Sequence, residues 1–225
     1  FVLKPGKMWS KVPFVGAPTI GTVGVGAVDD EDSNAVWLTA TDFLTPTTLS
    51  IAEMHQQPEV LKSNAVFFDG SKSVIEQHFA TSKDGTKVPY FLVRPKALAF
   101  DGTAPTLLYG YGGFEISMTP GYSGGIGKGW LEKGGVYALA NIRGGGEYGP
   151  RWHQAALKAN RHKAYEDFAA IARGNVEAFF GGPHPAWSLS RGDLADVLPL
   201  VAEPGTEAYR EFNFSPSGAW AAYRF

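Results

Sequence analysis

The sequence predicts an α/β fold: a mostly parallel sheet with helices, entered through β-structure and followed by a C-terminal β-hairpin. Three observations predict it. Leu107-Leu108-Tyr109-Gly110-Tyr111-Gly112-Gly113-Phe114 is a short apolar run that breaks into glycine and aromatic residues, and Val136-Tyr137-Ala138-Leu139-Ala140-Asn141-Ile142-Arg143-Gly144-Gly145-Gly146-Glu147-Tyr148-Gly149 repeats the pattern. Short apolar runs bounded by glycine read as buried strands of a parallel sheet. Upstream, Asp84-Gly85 separates two alternating runs, a hairpin signal. Downstream, Ala155 to Ala172 carries apolar residues at helical spacing.

Taken in order, residues 1 to 72 read as β-structure. Thr19 to Val28 alternates small and apolar residues with glycines, and Ala35 to Thr41 is rich in strand formers. Phe43 to Ser50 turns into another strand, and Val60-Leu61-Lys62 fits a fourth. Four short strands at this spacing fit a propeller blade or any meander. The acidic turn Asp29 to Asn34 lacks the glycine and terminal glutamate of a calcium loop and reads as a solvated hairpin turn. Val74 to Thr81 and Val88 to Pro95 form the hairpin around Ser82 to Thr86, with His78 an ordinary strand residue. Pro95 to Pro105 is a loop. Gly127 to Gly135 has room for a short crossover helix between the two glycine-ended strands.

Ala155 to Ala172 then reads as one helix, with Leu157, Tyr165, Phe168, Ala169 and Ile171 as its buried stripe. Lys158, Arg161, Lys163, Glu166 and Asp167 face out, and Gly174 is the stop signal. Residues 173 to 225 break the pattern. Phe179 to Pro185 is loop chemistry, Leu194 to Leu198 is a short helix capped by Asp193, and Glu207 to Phe214 and Ala219 to Phe225 flank the turn Ser215-Pro216-Ser217-Gly218.

Composition bounds the function classes. A formal net charge of −2 gives no electrostatic case for nucleic acid or an anionic membrane. The 44% hydrophobic content is ample for a packed core. No apolar run approaches the ~20 residues that span a bilayer. Cysteine is absent, which removes disulfides, thiolate zinc sites and a cysteine nucleophile. A cytoplasmic location is the expectation, and Phe1 in place of an initiating Met points to a missing start.

Tyr109-Gly110-Tyr111-Gly112-Gly113-Phe114, followed by Ala140-Asn141-Ile142-Arg143-Gly144-Gly145-Gly146-Glu147-Tyr148-Gly149 and Trp152-His153, resembles the prolyl oligopeptidase family of serine peptidases. The resemblance runs from about residue 1 to Ala172. It implies an α/β-hydrolase fragment at 73–172, preceded by β-propeller strands at 1–72, and a divergent tail at 173–225. It implies that the hydroxyl of Tyr111 donates to the oxyanion and that Phe114 lines the pocket for proline. The Arg143 to Gly146 loop is expected to shape the backbone, and His153 to be structural. The resemblance also implies short proline-containing peptides as substrates and no metal or organic cofactor. The family's nucleophile turn, Gly-Gly-Ser-Asn-Gly-Gly, is absent, so the catalytic triad is incomplete in this chain. Around residues 205–225, Tyr209 to Tyr223 resembles a hairpin of DOMON-like carbohydrate-binding domains. A fusion, a frameshift and an assembly junction would each give such a change of pattern.

Two serines invite a search for the nucleophile. Gly121-Tyr122-Ser123-Gly124-Gly125 fits Gly-x-Ser-x-Gly, with Asp167 and His184 following in hydrolase order. The pattern requires a strand before the serine, whereas Pro120 stands there and the strand ended at the Tyr-Gly-Tyr turn. Ser190, in Ser188-Leu189-Ser190-Arg191-Gly192, precedes a helix-like run, but Pro183 and Pro185 spoil the strand and no histidine follows. The resemblance, with no serine in place, implies an interior piece of a prolyl oligopeptidase-like peptidase that cleaves after proline, expected to be inactive alone. The alternative is a non-enzymatic carbohydrate-binding or interaction module that uses Trp220 or Tyr223, whose default role is packing on a sheet.

Overall fold

A computed structural model of the chain describes residues 2–4, 8–10, 17–53, 56–99 and 104–180. The first strands, β1 (Val2–Lys4) and β2 (Met8–Ser10), pair antiparallel. The described residues divide into two compact units, one within residues 1–70 with 120–127 and the other within residues 71–119 with 128–180.

The first unit holds an antiparallel meander of β3 (Thr22–Ala27), β4 (Val36–Thr41), β5 (Thr48–Ala52) and β6 (Glu59–Ser63), in that order. These are the four strands expected from the sequence; they form an open four-stranded sheet. The acidic turn is closed by Asp29, whose carboxylate accepts the Glu31 and Asp32 amides at 2.9 Å. Those two donors hold its pKa below the usual carboxylate value. The segment 120–127 is seated here too. Tyr122 stacks on Phe68 at 5.1 Å, and its hydroxyl accepts the Phe67 amide at 2.7 Å. Gly127 lies so close to Phe68 that an added Cβ would stand 1.9 Å from the ring.

The second unit is built on a mixed sheet of β7 (Ser73–Thr81), β8 (Lys87–Pro95), β9 (Thr106–Gly110) and β10 (Val136–Ala140), in the order β7-β8-β10-β9. The β7–β8 hairpin turns through Ser82 to Thr86, with Gly85 at φ 85° supplying the left-handed residue that a short hairpin loop needs. β9 and β10 pair parallel, with Leu108 opposite Ala138 and Gly110 opposite Ala140. Their connection holds α1 (Gly124–Gly129) and a 3₁₀ turn at Leu131–Lys133, ended by Gly134 at φ 88°. The expected crossover helix is therefore present, displaced toward the N-terminus of the range read from sequence.

Local sequence pattern does not give the strand order; the structure does. β10 runs between β8 and β9, every residue of it is buried, and β7 and β9 are the edges among the described strands. Continuous apolar sequence is what burial on both faces demands.

The helical region is also corrected. In place of one helix from 155, there are α2 (Pro150–Gln154), a 3₁₀ turn at Lys158–Asn160 and α3 (His162–Phe180). Lys158 takes φ 51°, which a continuous helix excludes. Gly174 does not stop α3, because glycine inside a helix costs only ~1 kcal/mol against alanine. The face of α3 on the sheet carries Ala164, Asp167, Ala170 and Ile171, whereas Leu157 and Tyr165 are exposed at 36% and 38%. Asp167 was expected to face water and is fully buried. The core joins Val88, Tyr90 and Leu92 of β8, Val136, Ala138 and Ala140 of β10, and Ala164, Ala170 and Ile171 of α3. Gly110 leaves room for Phe168, whose ring would lie 3.2 Å from a Cβ there.

Candidate functional site

Because β9 and β10 are parallel and in register at Gly110 and Ala140, the segments after them leave the same end of the sheet. That is where open α/β sheets bind ligands. Tyr111 is the first residue beyond β9 and is half-buried. Gly112 takes φ 57°, and a Cβ there would meet Ile142 at 2.4 Å, so only glycine fits. Phe114 and Glu115 follow at φ 52° and 56°, a turn unusual for residues with side chains. The turn projects Phe114, which is 73% exposed, with its ring 6.5 Å from that of Tyr111. Among the described residues the Tyr111 hydroxyl has no hydrogen-bond partner.

The glycine loop after β10 braces this turn. The Gly144 carbonyl accepts the Glu115 amide at 3.3 Å, and the Gly146 amide donates to the Ile116 carbonyl at 3.2 Å. His153 Nδ1 stands 2.7 Å from the same Gly144 oxygen and 3.1 Å from the Glu115 nitrogen. One ring nitrogen cannot donate and accept at once. The shorter contact assigns it a proton donated to Gly144, with the Glu115 amide sharing that oxygen. His153, expected from the sequence to be structural, braces the candidate site through these contacts. Glu147 Oε1 accepts the Met118 amide at 2.9 Å and the Asn141 side chain at 3.3 Å.

Arg143 ties three elements together beneath the loop. Its guanidinium meets Asp167 side-on, Nε to Oδ2 at 2.8 Å and Nη2 to Oδ1 at 2.6 Å. Nη1 reaches Oδ2 of Asp84 in the hairpin turn at 2.5 Å, and Nη2 lies 3.3 Å from Ser82 Oγ. The Arg143 guanidinium holds the Asp84 carboxyl far below its usual range, and the two carboxylates push the Arg143 pKa further up, Asp167 most. The loop was expected to shape the backbone rather than to act in catalysis; its arginine side chain is also part of the framework. The sequence carried a signal for this, since Asp167 shares the stripe of Ala164, Phe168 and Ile171 at helical spacing.

Ser123 belongs to the first unit, and its Oγ accepts the Ile126 amide at 3.3 Å at the start of α1, with no strand before it. Asp167, the acid that would follow it in hydrolase order, is committed to Arg143 with both oxygens. His184, Ser190, Trp220, Tyr223 and the whole DOMON-like hairpin lie outside the described residues. Among the described residues no cluster of three or more His, Cys, Asp or Glu side chains is placed to hold a metal ion. Nor is any helix there long and apolar enough to cross a membrane.

Comparison with known proteins agrees with the motifs. Residues 127–183 match the sequence model of the prolyl oligopeptidase family. The uncharacterized peptidase y4nA of Sinorhizobium fredii is 51% identical over 166 residues, which cover 73% of this chain and 23% of the relative. A prolyl endopeptidase of Elizabethkingia miricola is 39% identical, over 74% of this chain and 23% of its own length. Among solved structures, a post-proline cleaving enzyme from Rickettsia typhi superposes with TM-score 0.64 at 34% identity, over 77% of this chain and 25% of that one. A structure from a study of two prolyl endopeptidases gives TM-score 0.67 at 38% identity, over 75% and 25%. The chain spans about a quarter of the length of these relatives.

Proposed function

We propose that this chain, which carries a stretch of prolyl oligopeptidase-family sequence, forms one wall of the active site of a serine peptidase that hydrolyses short peptides after proline. The observation that carries the reading is the Tyr111–Phe114 turn at the ligand end of the β9–β10 pair. A free phenol and an exposed ring stand there on a braced backbone.

In acyl-enzyme chemistry the scissile carbonyl oxygen gains negative charge as the nucleophile adds. The Tyr111 hydroxyl would donate to that oxygen, and one such donor is worth ~2.7–4 kcal/mol of transition-state stabilisation. Phe114 offers a flat apolar wall to a proline ring, which has no donor of its own to satisfy. Its positive φ aims the ring outward, away from the core. In this reading the nucleophile, acid and base come from the part of the relatives' length that this chain does not span. We place the propeller's last strands at 1–72 and the start of the hydrolase domain at 73–172.

The test is expression of the whole reading frame that contains this chain, assayed with a Gly-Pro fluorogenic peptide. Tyr111→Phe is expected to lower kcat/KM by about 10²–10³-fold. Turnover unaffected by the substitution would remove Tyr111 from the oxyanion site.

A further inference from the structure

We infer that Arg161 is a positioning residue for the Tyr111–Phe114 turn, gripping it through the peptide carbonyl of Gly112. The catalytic meaning of the grip rests on the reading of Tyr111 above; the grip itself rests on geometry. Arg161 Nη1 donates to the Gly112 oxygen across a sequence separation of 49 residues. The other backbone contacts of the turn hold its downstream half: Glu115 to Gly144, Ile116 to Gly113 and Gly146 to Ile116. Arg161 holds the half adjoining Tyr111.

The surroundings are arranged for this reach. Gly144 takes φ 99°, and a Cβ there would stand 2.8 Å from Arg161 Nη1 and 2.3 Å from the Gly112 oxygen. Any side chain at 144 would therefore displace the contact. The guanidinium also lies 5.5 Å from the Tyr165 ring, which steadies it from below by a cation–π contact. The break between α2 and α3 delivers it. Lys158 at φ 51° and the 3₁₀ turn after it end with Arg161 at the C-cap, directed to the turn rather than along a continuous helix. Backbone in sparsely populated φ, as at Phe114 and Glu115, persists only where neighbours over-determine it. A charge-assisted bond to a carbonyl is stronger than a neutral one, which suits that task.

The test is carbon-13 and amide NMR on the isotopically labelled chain, unmodified and as Arg161→Met, Arg161→Lys and Tyr111→Phe. Loss of the grip in Arg161→Met should move the Gly112 carbonyl resonance and the Tyr111 ring resonances. It should also raise exchange of the Ile116 amide by about tenfold or more, leaving Leu92 and Leu139 in the strands unchanged. Arg161→Lys, which keeps a cationic donor, should restore part of the signal. Should Arg161→Met not fold, Arg161→Gln, too short to reach Gly112, is read in the same way. Unchanged Gly112 and Ile116 signals would overturn the inference, as would a uniform rise in exchange through β8 and β10. Tyr111→Phe should leave both signals in place whatever its hydroxyl does. Failure of the oxyanion reading would thus show only in peptide turnover, and failure of the grip only in these spectra.

Discussion

Arg143 and Asp167 meet side-on in the interior, the arginine 4% exposed and the aspartate 0%, with the Arg143 amide adding a third bond to Oδ2 at 3.0 Å. Among the described residues every donor aimed at Asp167 comes from Arg143, so removing the carboxylate leaves the buried guanidinium with Asp84 and Ser82 there. Breaking a buried pair from one side costs about 3–5 kcal/mol. Asp167→Ala is therefore expected to lower the unfolding free energy measured by urea denaturation by that amount, and Asp167→Asn, which keeps the shape, by less. An unfolding free energy within about 0.5 kcal/mol of the unmodified chain would show that the pair does not hold α3 to the loop.

Asp84 makes the same network sensitive to acid. Its pKa is lowered from the usual 3.8, chiefly by its hydrogen bonds to Arg143. A carboxylate whose folded pKa is depressed adds stability above the unfolded value, and that contribution is lost as pH falls through the folded value. Stability of the unmodified chain should therefore decline as pH drops below about 4. Asp84→Asn should be less stable at neutral pH and should flatten this part of the profile. Denaturation at pH 7 and pH 3 measures both. Identical slopes for the two proteins would remove Asp84 from the acid response.

What the sequence made legible follows from local signals. The β7–β8 hairpin was readable from Asp84-Gly85 between alternating runs, and the β9–β10 parallel pair from two apolar runs ending in glycine. The turn at Tyr111 was readable only through its motif. Strand order was not, because local pattern marks β10 as buried on both faces without saying that β8 and β9 flank it. The break at 155–161 was hidden because Lys158, Ala159 and Asn160 do not forbid a helix; tertiary contacts by His153 and Arg161 decide it. Asp167 was misread because a charged residue on a stripe is assigned to solvent unless its partner is known. That partner lies 24 residues away, on another element.

α1 offers a contrast of sign within one turn of helix. Gly125 is exposed with nothing within 4 Å of an added Cβ, whereas at Gly127 that carbon would stand 1.9 Å from Phe68. Gly125→Ala is expected to stabilise the first unit by about 0.4–1 kcal/mol through the entropy of the unfolded chain. Gly127→Ala should destabilise it by about 1–3 kcal/mol by overpacking against the ring. Paired thermal melts test this. Shifts of the same sign for both variants would show that Phe68 does not rest on the helix as described.

The last prediction is that this chain by itself has no peptidase turnover. Removing triad members still leaves ~10³–10⁴-fold catalysis over water where scaffold and oxyanion site are intact. Among the described residues, the groups with the right chemistry are otherwise engaged. Ser123 accepts the Ile126 amide at the start of α1, and Asp167 is held on both oxygens by Arg143. His153 spends Nδ1 on the Gly144 carbonyl. A serine becomes a nucleophile only beside a base that can take its proton. In the proposed reading Tyr111 would stabilise an oxyanion but could not create one. Purified chain incubated with a Gly-Pro fluorogenic peptide should show no signal above buffer, and a fluorophosphonate probe should label no serine stoichiometrically. Full labelling of Ser123 or Ser190, with turnover abolished when that serine is changed to alanine, would refute this and place the nucleophile within the chain.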